Sequence, residues 1–538
     1  MGVDRLKPEG ALLQRLRGEW QVVQSMLLEE LSMGPPLWFL ALGVRLGYVL
    51  HGVGSGRGID PDNPMQAFFG AIELMRMNVD FLQLPPVRSP SICMEPRSSC
   101  ALDGTSQGQR LFRHSLNWVI TLNGSERFTD PHMKELLRVM RLVPARGERR
   151  QGRLADEVWD RVCRCTATFA GELPDAALHK RARERRKERG ATSERARRLR
   201  DAQKRLQDPK CPLSAVGRYE VAVQWEAVAR MMHQEIRRQA AIENRMVFYI
   251  PAIDKCNKRL VRSDYEHMLR VANYNNAGHA MGMLGVYEGM RVRLDAKMCA
   301  RLKVVQGAVG TVRHIEFHDE EDLTWVADEG SKENRQGYVV LKKMPRGIMV
   351  AFDSVDAKLG YDDGDSRLVL VAPPDQTWKW RTRDPTNVWD GCRWVTKPLE
   401  IAVTRYQIRL FPEKVMTTQA AQGRTCETML AHLGKSPRMS TAEYWFNVYV
   451  MLSRAPALDP DRLMLFDLPP REFFEEGPPA ALVNAMRDLE DLETRTRAFA
   501  RQVREYMARY HRWPEPGTRT RPEKPEDVSS YLAVSYTH

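Results

Sequence analysis

The strongest constraint on the fold is an alternation near the start of the chain. WQVVQSMLLEE (20–30) reads as a strand, LWFLALGVRLGYVL (37–50) as a helix, and AIELMRMNVDFLQL (71–84) as a second strand. Strand, helix and strand in that order are the pattern of a parallel α/β sheet. Both apolar runs end in acids. Glu29 and Glu30 close the first and Asp80 the second, followed by Gln83 and the rigid pair Pro85-Pro86. Such groups lie at the C-terminal edge of a parallel sheet, where open α/β sheets bind their ligands.

At 538 residues the chain is too long for one core, and three or four domains are expected. A hydrophobic share of 43% with 28% charged residues is that of a soluble globular protein. The longest apolar stretch, PPLWFLALGVRLGYVL, is interrupted by Arg45 and falls short of the roughly 18 uncharged residues a spanning helix needs. The N-terminal sequence has no apolar signal-peptide core. Nine cysteines, of which only Cys163 and Cys165 are close together, make neither a disulfide framework nor a zinc signature, so reduced intracellular thiols are expected. The net charge of +13 is concentrated: residues 180–206 hold 13 basic and 4 acidic side chains, leaving +4 for the rest. That run is helix-compatible and reads as a solvated helical insertion, able to bind a polyanion in a salt-dependent way.

Further along, PHMKELLRVMR (131–141) opens with Pro and keeps helical spacing. VQWEAVARMMHQEIRRQAAIENRMVFYIPAIDKC reads as a helix feeding a strand. Short β runs separated by Gly, Asp and Pro fill 286–410, the pattern of a small barrel. Residues 480–511 carry Leu482, Met486, Leu489, Leu492, Phe499, Val503, Tyr506 and Tyr510 at spacings that predict an amphipathic helix. The last 25 residues are rich in Pro and charge and read as disordered.

MLLEELSM (26–33) is a hydrophobic strand ending in two carboxylates, the Walker B arrangement: one acid serves Mg²⁺ and the next orients or deprotonates the attacking water. Other blocks follow in order. They are AFFGAIELMRMNVDFLQLPPV; Leu122-Asn-Gly-Ser-Glu-Arg127-Phe-Thr-Asp130 with Leu137 and Arg141; Tyr287-Glu-Gly-Met-Arg-Val-Arg-Leu294 with Val304-Val-Gln-Gly-Ala-Val-Gly-Thr-Val312; Thr417-Thr-Gln-Ala-Ala-Gln-Gly-Arg-Thr425; and Val448-Tyr-Val-Met-Leu-Ser-Arg454. Together, over roughly residues 20–465, these resemble the motifs of the PIF (petite integration frequency) family of superfamily 1B, RecD-like, 5′-to-3′ DNA helicases.

The resemblance implies an α/β fold of two RecA-like parallel-sheet lobes, the first truncated at its N-terminus, with a small SH3-like β-barrel insertion and a C-terminal helix. The implied divisions are 1–105 for the first lobe, 106–145, 241–300 and 399–475 for the second, 146–240 for the basic insertion, 301–398 for the barrel, and 476–538 for the amphipathic helix and tail. It implies ATP as substrate and Mg²⁺ as cofactor, with Glu29 holding the metal through water and Glu30 as the catalytic acid. Gln83 would sense the γ-phosphate, and Arg127 and Arg454 would neutralise the transferring phosphate. Asp80, Gln422 and Gly423 would couple nucleotide state to strand grip, and Thr417, Gln419 and Thr425 would contact DNA. Trp378 and Trp380, in WKWRTRDPTNVWDGCRW, either stack bases or form the core of the small barrel, the latter slightly favoured. The implied partners are single-stranded DNA and duplex junctions, with no membrane and no zinc. The implied setting is genome maintenance (repair, recombination, telomeres) in the nucleus or mitochondrion.

Four departures stand against this. No Gly-x4-Gly-Lys-Ser/Thr loop is present; Leu433-Gly-Lys-Ser436 has Met429 where the first Gly belongs and lies after the later motifs. Glu29 stands in place of Asp, Val79 in place of Gly, and Gln419-Ala420 in place of His-Lys. The expectation is a helicase chain without its phosphate-loop portion, through truncation or an error in the gene's predicted reading frame. The alternatives are a catalytically dead helicase fold that binds DNA or a partner, and the helicase part of a rolling-circle (Helitron-type) transposon protein.

Overall fold

The computed structural model describes the chain except residues 1–9, 21, 51–68, 70–71, 73, 87–88, 97–102, 122–126, 144–151, 173–188, 258–259, 272–273, 278–279, 320, 322–336, 356–367, 383–385, 390–391, 393, 438, 511–533 and 538. The segment 122–126 of one motif, the first part of the basic run and most of the C-terminal tail thus lie outside the described residues. The chain divides into two compact units. One is Met1–Arg164, Pro437–Leu458 and Pro469–His538; the other is Cys165–Ser436 and Asp459–Leu468. Each contains a parallel sheet, the mixed α/β class that the alternation predicts.

In the first unit Ser25–Leu28 pairs in parallel with Leu74–Asn78, Leu28 opposite Met77. Val534–Thr537, in the stretch expected to be disordered, pairs in parallel with Met75–Asn78 on the other side. The helix Pro36–Leu50 makes the crossover and packs on the helix Gly104–Ser115. Their contact depends on Gly108: a Cβ there would lie 2.0 Å from the Pro36 carbonyl oxygen, closer than any side chain tolerates. Phe39, Phe69, Phe81 and Phe112 join edge-on or tilted across this core, with centroids 5.0 to 5.9 Å apart.

Two more helices complete the part of this unit that matters for the site. Pro131–Arg141 starts where the sequence predicts: the Asp130 carboxylate accepts the His132 N–H, Pro131 takes the first position, and Met133, Leu136, Leu137 and Met140 form the buried stripe. Thr441–Leu452 opens on a Ser440–Glu443 capping box and buries residues on every side.

The second unit holds a four-stranded parallel sheet in the order Val415–Thr417, Tyr219–Ala222, Met429–His432, Leu463–Phe466. The remaining β structure is distributed differently from the single barrel read at 301–398. A five-stranded antiparallel sheet comprises Leu368–Val371, Gly347–Phe352, Val309–Glu316, Arg291–Leu294 and Leu410–Pro412, so its last two strands lie outside those bounds. Tyr338–Val340 pairs instead with Val247–Pro251, and Asp375–Arg381 joins Glu400–Tyr406 and Ile253–Cys256. Alternation along a strand identifies it as a strand but leaves its neighbour open.

The basic run also differs from a solvated insertion. In the helix Arg189–Gln207, Ala202 is buried against Leu213, Leu430 and Met464. Arg195 and Arg198 turn to Glu172, the Arg198 guanidinium lies 4.7 Å over the Phe169 ring, and Arg205 donates to the Pro460 carbonyl. Arg197, Arg200 and Lys204 remain exposed. One face of the charge is therefore structural, because a guanidinium can bury its stem while satisfying its donors.

Candidate functional site

The acids come first. Because Leu28 pairs with Met77, Glu29 emerges beside Asn78, whose Nδ2 donates to Glu29 Oε1 at 2.9 Å. Glu30 takes a left-handed conformation (φ 53°) at the head of the short 3₁₀ turn Leu31–Met33, a strained choice for a residue with a Cβ. Both side chains are exposed at the C-terminal edge of the strands. Asp80 leaves the neighbouring strand at the same edge and folds its carboxylate into a tight turn: Oδ1 accepts the Leu82 N–H at 3.1 Å and Oδ2 accepts Gln83 Nε2 at 3.3 Å.

The cations converge on Tyr449. This tyrosine sits on the helix Thr441–Leu452, 3% exposed, its ring stacked on Trp445 at 5.2 Å. Burial pushes its phenol up, the Asp80 carboxylate adds to that, and Arg141, Arg454 and Arg127 pull against it. Arg141, the last residue of its helix, reaches within 4.0 Å of Asp80 and also faces the Tyr449 phenol. Arg454 is 2% exposed and turns back on its own helix end, with Nη2 donating to Ser453 Oγ at 2.7 Å and Nε to the Val450 carbonyl at 3.1 Å. Arg127 Nη1 donates to the Ser453 carbonyl at 3.1 Å. Ser453 therefore receives both guanidinium groups. Asp130 fixes the next loop by accepting the Leu458 N–H at 2.7 Å while capping its own helix.

Of the residues singled out in the sequence, Asp80, Gln83, Arg127 and Arg454 come together in this cluster, and Glu29 and Glu30 lie at the sheet edge from which Asp80 emerges. Tyr449 and Arg141 were inside the quoted blocks but had no role there. Their signal was position: Tyr449 lies five residues before Arg454, and Arg141 ends the helix capped by Asp130.

Thr417, Gln419, Gln422, Gly423 and Thr425 belong to the other unit. They form the turn after Val415–Thr417, where Thr417 Oγ1 accepts the Ala420 N–H and Gly423 has φ 78°. Trp378 requires a correction as a base-stacking residue. It is 8% exposed, packed with Met268, Ile401 and Val403, and one of its faces is taken by the Arg405 guanidinium at 5.0 Å. A base has no face left to stack on. Trp380 is half-buried and donates its indole N–H to Asp264 at 3.1 Å.

The fit of Mg²⁺ and ATP divides. Among the described residues no three His, Cys, Asp or Glu side chains are grouped to cage a metal. Mg²⁺, however, commonly rests on one or two carboxylates plus substrate phosphates, and exposed Glu29 can supply one. A cradle for the triphosphate is not found among the described residues. Gly434 of Leu433-Gly-Lys-Ser436 accepts Gln224 Nε2 on its carbonyl, and an Asp467 carboxylate oxygen lies 3.1 Å from where a Cβ on Gly434 would stand. An acid against that loop repels phosphate.

No family model matches the chain, and no curated protein matches it. Among solved structures it is similar to a Pif1 helicase determined for DNA unwinding at forked duplex DNA, with 12% identity, TM-score 0.48, and 90% of this chain and 78% of that one covered. It is likewise similar to Bacteroides Pif1 bound to single-stranded DNA (13%, TM-score 0.45, 89% and 78%) and to Pif1 helicase from Candida albicans (16%, TM-score 0.41, 91% and 82%).

Proposed function

We propose that this chain is the body of a PIF-type, 5′-to-3′ DNA helicase that acts on single-stranded DNA and duplex junctions in genome maintenance. It would supply the acids and arginines of an ATP-hydrolysing site but not the cradle for the triphosphate. The observation that carries this reading is the convergence of Asp80, Arg141, Arg127 and Arg454 on Tyr449, with motif blocks in family order. Mg²⁺, when bound, neutralises phosphate charge. Glu29 would offer it a carboxylate, and Glu30 at the same edge would take a proton from water. Arg127 and Arg454 would supply positive charge to a transferring phosphoryl group, and Asp80, which accepts from the Gln83 amide, would orient that side chain.

Purified chain should bind an oligothymidylate in a salt-dependent way yet show no appreciable DNA-stimulated ATP hydrolysis. A strand–Gly-x4-Gly-Lys-Thr–helix segment fused ahead of Met1 should restore turnover that Arg454→Ala abolishes. Failure to bind single strands, or robust turnover by the chain alone that is lost in Arg454→Ala, would overturn the reading. One observation favours the second reading, a catalytically dead DNA- or partner-binding helicase fold: both guanidinium groups already donate to Ser453.

A further inference from the structure

A cavity of about 380 Å³ lies in the first unit, between the end of the helix Gly104–Ser115 and the long helix Ala480–Tyr510. Phe112, Leu116, Leu489 and Leu492 supply its apolar wall. The long helix contributes Ala485, Asp488, Leu489, Leu492 and Arg495, all on one face because they recur every three or four residues. The space is a cleft partly open to solvent, with Asp488 and Arg495 exposed at its edge, and its size is that at which ligand sites begin, about 300 Å³.

Contacts on both sides hold the walls apart. On one side Arg113 Nη2 lies 3.4 Å from Asp488, while Nη1 lies 3.8 Å from Glu95. On the other, the Val119 N–H donates to Thr496 Oγ1 at 3.1 Å, Thr121 Oγ1 donates to Glu493 at 2.6 Å, and the Trp118 ring sits 4.4 Å from Phe499. The space is thus built into the way the chain crosses the long helix, and closing it would break one clamp or the other. The charged side chains in its lining are Arg113 and Arg495 against Asp488, with Glu95 beside Arg113, so Arg495 brings a guanidinium to the edge of the apolar wall.

We propose that this cavity is a binding site for an amphipathic organic anion, with one fused-ring or similarly sized apolar body against Phe112, Leu489 and Leu492 and one acidic group toward Arg495. The site is independent of the nucleotide cluster and of the helicase reading.

The probe is 1-anilinonaphthalene-8-sulfonate, titrated into the full chain and followed by fluorescence. Saturable 1:1 enhancement is expected with a Kd on the order of 10 μM. N-phenyl-1-naphthylamine, with the same rings and no charge, should bind roughly tenfold more weakly, because a charge-assisted contact is lost. Arg495→Gln, at an exposed position, should lose the same factor for the sulfonate alone, and Leu489→Trp should fill the space and abolish binding. Far-UV circular dichroism checks that each variant is folded; if Leu489→Trp is not, Arg495→Gln decides by itself. Enhancement unchanged in folded Leu489→Trp, equal affinity for the neutral probe, or no loss in Arg495→Gln would overturn the proposal.

Discussion

Arg141 and Asp80 stand 4.0 Å apart, linking the end of one helix to the turn that follows a strand of the parallel sheet in the same unit. The pair is partly open to solvent, so its own contribution is small, about 0–1 kcal/mol. Its consequence is positional. It brings a carboxylate against the buried Tyr449 phenol, which also faces Arg127 and Arg454.

Tyr449 should therefore cost more than either member of that pair. Tyr449→Phe removes one buried hydrogen-bonding group and should destabilise by about 1 kcal/mol, and Tyr449→Ala by about 3–5 kcal/mol through the cavity it leaves. Denaturant unfolding measures both. Equal effects of Tyr449→Ala and Arg141→Ala would count against this account.

Arg405 is 0% exposed and binds Asp254 through two bonds of 2.8 and 2.7 Å, with further bonds to the Ala280 and Met268 carbonyls. Removing one partner leaves a buried charge, so Asp254→Ala or Arg405→Ala should cost about 3–5 kcal/mol. Arg405→Lys should rescue little, since a lysine cannot reproduce the fork.

At Gly108, substitution by Ala drives a methyl into the Pro36 backbone. The expected loss is about 3 kcal/mol, read as a lower thermal midpoint. A change below about 0.5 kcal/mol would mean that the two helices separate freely.

Two groups in the second unit, buried Glu220 and half-buried His432, give opposing pH dependence. Burial, with Glu235 beside it and Arg218 opposing, pushes Glu220 up to about 7, and burial pushes His432 down to about 4. A carboxyl raised above its unfolded value is most favourable while protonated, so its contribution falls as pH rises from about 4.5 to 7. A histidine lowered below its unfolded value loses stability as pH falls from about 6.5 to 4. The wild-type profile between pH 5 and 6.5 should be shallow, whereas Glu220→Gln should make stability rise with pH. A flat profile in Glu220→Gln would refute the pairing.

If the basic helix grips DNA, the exposed Arg197, Arg200 and Lys204 do so, because Arg195, Arg198 and Arg205 are engaged within the fold. Changing the three exposed residues to Gln should lower the salt slope of single-strand binding by about 2. Changing Arg198 to Gln should instead lower thermal stability.

Local order was legible along the chain. Asp130 and Pro131 announce one helix and Ser440 with Glu443 another, because caps and helical spacing act over a few residues. The acids ending Ser25–Leu28 and Leu74–Asn78 could be read for the same reason. Pairing and burial could not. Only the folded chain assigned Tyr338–Val340 to Val247–Pro251, placed Trp378 against Arg405, turned Arg198 to Glu172, and gathered Arg127, Arg141 and Arg454 around Tyr449. Those outcomes depend on contacts between residues tens to hundreds of positions apart. An alternating strand or a charged helix face is compatible with several neighbours until tertiary packing selects one.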